Sequence, residues 1–571
     1  MRRSSILIIS AFSCVLFGVA AVRLNWHSFS AEAAQSQPPQ TAGLPPTVAQ
    51  GGHLEPVSTT LSTAANPADI SLSQHLSAPG TALYTAKRGD TIPTVAHQYL
   101  KTTSYLTSSE LAEAIRHVNG NRSGNILRTG DQIIIPGLLP APIVEKTVPV
   151  AKDFEVRAIY LTGIMAASDH GLRIIRRWRE VGGNAVVFDI KDSDGSINIP
   201  FEHPLLGRHQ VYIHDLPKFV HFLHSENMHA IARIAIFRDE RMVVEHPELA
   251  VQSKKTKQPW RENGKLVWTD PSQPKVQDFD IALAKFVAQS GADEIQFDYV
   301  RFPAEGDQKD ATFLYQTDQL DADSRGAGSP GANSRGDGGP GRPADAQPGG
   351  SSTDVQSTTG PSGLKHPSVK RSAVRPAATL RGMQRSDVIT AFLKKAYAEL
   401  HPTGVLLSLD VFGVMAWQRP VDLSHTGQDI VGMAQYCDVL SPMIYPSHFF
   451  GMDNIEHPGD APEHFIGESM QRFELITKNS GVVIRPWLQA FRWRTKTYSP
   501  EYIKVQVATA REKGGIGFLF WNAANDYSKP YAAMPEMRDA NSKEKNKFFR
   551  GDELPTTTVK AALTPAAITA P

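Results

Sequence analysis

Gly291-Ala292-Asp293-Glu294-Ile295-Gln296-Phe297-Asp298-Tyr299-Val300-Arg301-Phe302-Pro303 decides the fold. It follows a helical run at 278–289 and turns at Ser290-Gly291. A short apolar strand then ends in an acid, an aromatic, a base and a proline. Strand parity puts Glu294, Gln296 and Asp298 on one face. In a parallel sheet covered on both sides, polar groups inside a strand are costly unless they serve a site. Active sites of α/β folds lie at the carboxyl ends of strands, which is where Asp298 stands. The plainer alternative is a strand-end aspartate that caps the next turn.

Working outward, strand and helix alternate, the pattern of a parallel sheet. Eight candidate strands are 156–161, 185–190, 230–237, 294–299, 405–411, 439–445, 482–491 and 517–521. Helical runs intervene at 172–181, 216–226, 278–289, 387–400, 467–478 and 501–513. Eight such units closing on themselves give an α/β fold of the (β/α)8 TIM-barrel type. An open doubly wound sheet is the alternative, but no Gly-rich dinucleotide turn follows the first strand.

The strand ends repeat one chemistry. The second strand carries Asp189 and Lys191, expected on one face, with Asp192 just beyond. The third carries Arg233 and ends near Asp239; the fourth offers Asp298 and Arg301; the fifth ends at Asp410. The sixth ends in Tyr445 and His448, the seventh carries Arg485, Trp487 and Gln489, and the eighth ends in Trp521 and Asn522. Acids ringed by aromatics and amides suit a sugar site, where paired carboxylates act as acid and as nucleophile or base. A salt bridge to a nearby arginine is the structural alternative for each acid, most of all for Asp189, Asp192 and Asp239.

Asp298-Tyr299-Val300-Arg301-Phe302-Pro303, Phe188-Asp189-Ile190-Lys191-Asp192 and Asp410-Val411-Phe412-Gly413 resemble the motifs of a bacterial TIM-barrel family assigned to glycoside hydrolysis and distantly similar to the α-amylase superfamily. The resemblance spans about 154 to 530, interrupted once, and implies a barrel domain at 153–303 and 384–535. In amylase-like barrels the nucleophile is an Asp ending strand four and the acid/base a Glu ending strand five. The resemblance therefore implies Asp298 as nucleophile and Asp410 as acid/base, the latter one methylene shorter than the family pattern. The acid role requires Asp410 to be protonated near neutral pH, and Arg301 or Arg233 to hold Asp298 ionised. Asp189, Lys191, Asp192, Arg233, Arg301, Tyr445, His448, Gln489, Trp521 and Asn522 are the expected substrate contacts. No cofactor and no metal is called for: a metal hydrolase needs clustered His ligands, and the strand ends supply only His448 clearly. A glycan-binding scaffold without turnover, and a deacetylase-like or lyase barrel, are the competing classes.

The flanks read differently. Residues 1–30 open with Met1-Arg2-Arg3 and an apolar run from Ile6 to Val22, a signal peptide or an uncleaved anchor in contact with the membrane. Either reading places the chain in the periplasm, the cell envelope or the medium. Residues 31–80 and 541–571 have the composition of disordered tether and tail. Between Ala304 and Met383 lies a Gly/Pro/Ser/Asp-rich insertion, expected to hold no core.

A small module is expected at 82–138, joined to the barrel by a Pro- and Val-rich linker at 139–152. It reads strand, helix, helix, strand. Its opening Tyr84-Thr85-Ala86-Lys87-Arg88-Gly89-Asp90-Thr91 and its closing Leu127–Pro136 resemble a LysM domain, with a longer spacer between the helices. The resemblance implies binding of peptidoglycan or another N-acetylglucosamine-containing glycan. The implied groove lies between Gly89, Asp90 and Thr91 on one loop and Asn125 and Ile126 on the other.

Composition limits the remaining options. Of 571 residues 41% are hydrophobic, enough for a large core, and Lys+Arg 59 against Asp+Glu 58 gives a formal charge of +1. No bulk electrostatic pull toward nucleic acid follows, and a nucleic-acid partner is not expected. With two cysteines, Cys14 and Cys437, a disulfide framework within the mature chain is excluded. The partners left are the tethering glycan and a polysaccharide substrate.

Overall fold

The computed structural model describes residues 80–265, 267–316 and 382–539. The expected export segment, nearly all of the tether, the tail and most of the insertion lie outside these residues. Residues Tyr315–Met383 form a unit of their own, of which only the ends are described.

The small module comes first: β1 (Thr81–Thr85), α1 (Ile92–Tyr99), α2 (Ser108–Val118) and β2 (Gln132–Pro136). The two strands pair antiparallel, Thr81 opposite Pro136 and Thr85 opposite Gln132. Thr91 caps α1 by accepting from the Thr94 amide at 3.2 Å, and Thr107 caps α2 by accepting from Glu110 at 3.1 Å. Ile92, Val95 and Ala96 from α1 meet Leu111, Ala112 and Ile115 from α2 over Ile133 and Ile135. The element order agrees with the expectation. The longer spacer opens with a 3-10 turn, Leu100–Thr102, and continues as irregular chain to Thr107.

The barrel strands are β3 (Arg157–Leu161), β4 (Ala185–Lys191), β5 (His229–Ala235), β7 (Glu294–Asp298), β9 (Leu406–Phe412), β10 (Val439–Ile444), β11 (Val483–Ile484), β12 (Trp487–Gln489) and β13 (Phe518–Trp521). Between them, β6 (Gln252–Ser253) and β8 (Ala311–Thr312) form a separate antiparallel ribbon. All barrel pairings are parallel, and the ring closes from β13 onto β3 and from β9 onto β10. β11 and β12 are one stave in two pieces. Pro486 has no amide to give to the ladder, so the single strand expected at 482–491 breaks there. The staves number eight, and the fold is the expected TIM barrel.

Helices coat the barrel: α3 (Asp169–Glu180), α4 (Leu216–Ser225), α5 (Pro274–Gln289), α6 (Arg385–Leu400), α7 (Pro462–Ile476), α8 (Pro500–Glu512) and α9 (Ser528–Asp539). Each buries an apolar stripe on the sheet. In α3 the stripe is Leu172, Ile175 and Trp178, whose indole also donates to Arg157 O at 3.0 Å. Burial of one such side chain is worth about 1.5–3 kcal/mol.

Two expected boundaries differ. The linker at 139–152 is seated on the barrel: the Val148 amide donates to Asp293 at 2.8 Å and Thr147 Oγ1 to Ala292 O at 2.7 Å. Glu145 meets His221 at 2.7 Å and His224 at 2.9 Å. The ordered chain also runs past Pro303. β8 pairs with β6, Phe313 packs edge-on against Phe302 at 4.9 Å, and the Leu314 amide donates to Asp270 at 2.6 Å. An apolar residue with a partner, Phe313, extends the fold into a stretch whose composition promised none.

Candidate active site

β7 carries its three polar residues inward, as parity requires. At the floor, Glu294 accepts from Arg485 Nη1 at 2.8 and 3.0 Å and sits 3.1 Å from His229 Nε2. Burial opposes its charge, but Arg485 and His229 prevail and hold the carboxyl down at about 2. Gln296 is fully buried one layer up. Asp298 comes next, at the mouth, and β7 ends there. Tyr299 takes the left-handed conformation, φ 55°, and its amide doubles back onto Asp298 Oδ1 at 2.6 Å. A bulky residue at positive φ is strained, as segments at working sites often are.

Arg233 of β5 holds the other oxygen of Asp298, Nη2 at 2.6 Å and Nε at 3.1 Å, and reaches Asp189 Oδ1 with Nη1 at 2.5 Å. Tyr160 OH donates to Asp189 Oδ2 at 2.5 Å. Burial pushes Asp189 up to about 7 against the pull of Arg233, and the half-buried Asp192 adds a repelling charge.

Asp410 stands on the neighbouring strand. β7 and β9 pair in parallel with Phe297 opposite Leu409, so Asp298 and Asp410 are the next residues along two adjacent strands. Burial, then the charge of Asp298, pushes the Asp410 carboxyl well above the ordinary range. Trp487 Nε1 donates to its Oδ1 at 2.7 Å, which leaves Oδ2 to carry the proton of the neutral acid.

Both carboxyls open on one cleft, lined also by Glu262, Tyr299, Arg301, Glu305, Phe412, Gln428 and Met443. Arg301 is not the partner of Asp298. Its guanidinium lies between Trp268, at 4.6 Å, and Phe412, at 4.5 Å, and donates to Phe302 O at 3.0 Å. Beside the cleft, Tyr445 and Trp521 tilt together at 5.9 Å with Phe491 edge-on, and Trp521 is partly exposed. His448 packs on Tyr445, Phe491 and Trp493, and burial there pushes its imidazole down to about 4.

Three expected substrate contacts are placed elsewhere. Lys191 does not share a face with Asp189. A register shift in the β4–β5 ladder between the two residues turns Lys191 outward, where its ammonium meets Asp239 at 2.9 Å and Asp280 of α5 at 3.0 Å. Gln489 spends its amide on loops, accepting from the Ser447 amide at 3.2 Å and donating to Phe491 O at 3.0 Å. Asn522 is likewise consumed, donating to Ala490 O at 2.6 Å and Asp526 O at 2.8 Å and accepting from the Ala524 amide. Backbone groups in tight loops outbid the open cleft for these amides.

Other lining residues escaped the sequence reading. Glu262 and Glu305 sit in irregular chain, where no periodicity marks them: Trp268 Nε1 donates to Glu262 at 2.5 Å, and Asn263 donates to Glu305 at 2.7 Å. Tyr160, whose hydroxyl meets Asp189, carried a usable signal, since it shares the inward parity of its strand. In the small module the implied groove loops lie together: the Ile92 amide donates to Asn125 O at 2.8 Å, and Leu127 to Asp90 O at 3.2 Å. Tyr84 OH donates to Asp90 at 2.6 Å, Gly89 turns at φ 90°, and Ile126 is 79% exposed.

Among solved structures, a hypothetical protein from Ruminiclostridium thermocellum ATCC 27405 is 32% identical over 29% of this chain and 91% of its own, with a TM-score of 0.26. The spore cortex-lytic enzyme SleL of Bacillus megaterium QM B1551 is 11% identical over 79% and 85%, at 0.33. The catalytic domain of the β-amylase from Paenibacillus polymyxa is 11% identical over 69% and 100%, at 0.40. A search of curated proteins finds no match. The family model described as "Putative glycosyl hydrolase domain" matches residues 158–527, from β3 to the loop after β13, and the chain belongs to that family.

Proposed function

We propose that the barrel hydrolyses a glycosidic bond in an envelope or extracellular polysaccharide with retention of configuration. The observation that carries this reading is one cleft lined by two carboxyls from adjacent strands, of which Asp410 is driven toward its neutral form and Asp298 is held by Arg233. Parallel strands lie about 4.8 Å apart, which suits the roughly 5–5.5 Å carboxyl separation of retaining enzymes better than the wider inverting gap. Asp410 gives its proton to the glycosidic oxygen as Asp298 attacks the anomeric carbon. The leaving alcohol departs and a glycosyl ester remains on Asp298. Asp410, now ionised, takes a proton from water, whose oxygen displaces Asp298 and releases the sugar.

The chain is further proposed to be exported, with residues 82–138 acting as a LysM-type tether to peptidoglycan or a chitin-like glycan. The approach of the Asp90–Thr91 and Asn125–Leu127 loops supports that reading. Incubating the full chain with a panel of envelope glycans and measuring new reducing ends tests the hydrolysis; no release from any member refutes it. Co-sedimentation with insoluble peptidoglycan or chitin tests the tether. A chain that stays in the supernatant, or binding unchanged by substitutions at Asp90 and Ile126, refutes it.

A further inference from the structure

The cleft carries a cation that the proposed chemistry does not use. Arg301 is 8% exposed, a cleft-lining guanidinium held between two aromatic rings. Its hydrogen bond runs to a backbone carbonyl, and among the described residues no carboxylate pairs with it. A second guanidinium, Arg238, lies 5.2 Å from the ring of Tyr299 and donates to its hydroxyl at 3.2 Å, while Arg301 lies 5.6 Å from the same ring. Burial pulls Arg301 below its ordinary value, Glu262 pulls it part of the way back, and the like charge of Arg238 adds a smaller repulsion. The charge of Glu262 acts on Arg301 without a hydrogen bond between them, since its oxygens accept from the Trp268 indole at 2.5 Å and the Glu305 amide at 3.1 Å. A buried, stacked and unpaired arginine is costly unless an anion completes it.

A separate groove of about 540 Å³ is lined by Arg492, Trp493, Arg494 and Lys496, all three cations exposed. Of its acids, Asp460 is tied to the Thr495 hydroxyl and the Lys496 and Thr497 amides. Trp493 reaches the barrel mouth through His448, at 4.8 Å. Three cations and one tryptophan thus line this groove together with Glu456 and Asp460.

We propose that the substrate is an anionic glycan and that Arg301 receives the carboxylate of a sugar beside the scissile bond. This rests on the glycosidase reading and names its substrate class. The planar fork of a guanidinium matches a carboxylate. One unpaired charge in a wall shared with Asp298, Glu262 and Glu305 suits a single negative charge better than a doubly charged phosphate. The carboxylate could belong to a uronic acid or to the lactyl ether of a muramyl sugar, where peptide has been removed.

The test uses the full chain carrying Asp298→Asn, so that binding is read without turnover. Affinities are measured for a polyuronate, for peptide-stripped peptidoglycan strands, and for the carboxyl-reduced form of each. The acidic member of at least one pair should bind about tenfold or more tighter than its reduced form. Arg301→Gln in the same background should erase the difference, with a thermal melt reporting its folding. The comparison of native with reduced glycan stands even if that variant fails to fold. The arm that responds identifies uronate or lactyl chemistry. Equal affinity within every pair, binding only to a phosphodiester glycan, or binding to none overturns the proposal. Reducing ends released by the unsubstituted chain from a neutral glycan alone would leave the hydrolase reading standing and this one fallen. An acidic glycan bound but never cleaved would do the reverse.

Discussion

Glu294 and Asp298 leave one strand on one side, four residues and about 13 Å apart. Each meets an arginine, yet the floor and the mouth of the barrel are different chemical objects. At the floor Arg485 and His229 both close on Glu294, and its carboxyl falls to about 2. At the mouth Arg233 is divided between Asp298 and Asp189, no arginine among the described residues pairs with Asp410, and the Asp410 carboxyl rises. What separates the floor carboxylate from those at the mouth is the number of cations per acid and access to a cleft, not the residue type or the strand. The pH response differs in sign accordingly. Glu294 is depressed, so the stability it contributes is present above about 4.5 and is lost as pH falls toward 2. Asp410 is raised, so the folded state keeps a proton that the unfolded chain has released, and its site costs stability as pH rises above the ordinary carboxyl range.

The largest expected effect is at the mouth. Asp298→Asn keeps shape and loses charge, so turnover should fall at least about 10⁴-fold with the thermal transition in place. Full activity on a proven substrate would break the assignment. Asp410→Asn should cost about 10²–10⁴-fold, least for substrates with good leaving groups, and should remove the alkaline limb of the kcat/KM profile. That limb is expected in the unsubstituted protein if activity needs the protonated acid, and activity should then be lost as pH rises through the raised pKa. At the floor the outcome should invert. Glu294→Gln leaves Arg485 buried without its countercharge, which costs about 3–5 kcal/mol of stability, read as a lower urea midpoint. The molecules that remain folded should turn over at the normal rate. A floor variant that lost turnover at unchanged stability would erase the distinction between the two layers.

Strand parity made much of this legible. The inward row 294, 296, 298 and the strand-end position of Asp410 follow from a period of two and the habit of α/β folds to work at strand ends. Failure came where a local event breaks the period. The register shift after Asp189 reversed Lys191, and Pro486 cut one stave in two. Gln489 and Asn522 were placed at the right ends of the right strands, but parity cannot say that loop carbonyls claim their amides. Glu262 and Glu305 reach the cleft from irregular chain, and only the closed fold brings them there.

The smallest predicted effect concerns a single hydrogen bond. Trp487 lies between the two layers, on the stave that also carries Arg485 to the floor, and its indole donates to Asp410 Oδ1 at 2.7 Å. An N–H donor favours the charged carboxylate over the neutral acid, so this bond lowers a pKa that burial and Asp298 raise. Trp487→Phe removes the donor and keeps most of the ring packing against Tyr160, 6.4 Å away. The alkaline limb of kcat/KM should then move to higher pH by about one unit, the worth of one hydrogen bond to a charged group. The acid is more often protonated but a weaker donor, so the plateau should fall only modestly. A shift to lower pH would mean that the indole stabilises the neutral acid, and that the elevation of Asp410 has a source other than burial and the charge beside it.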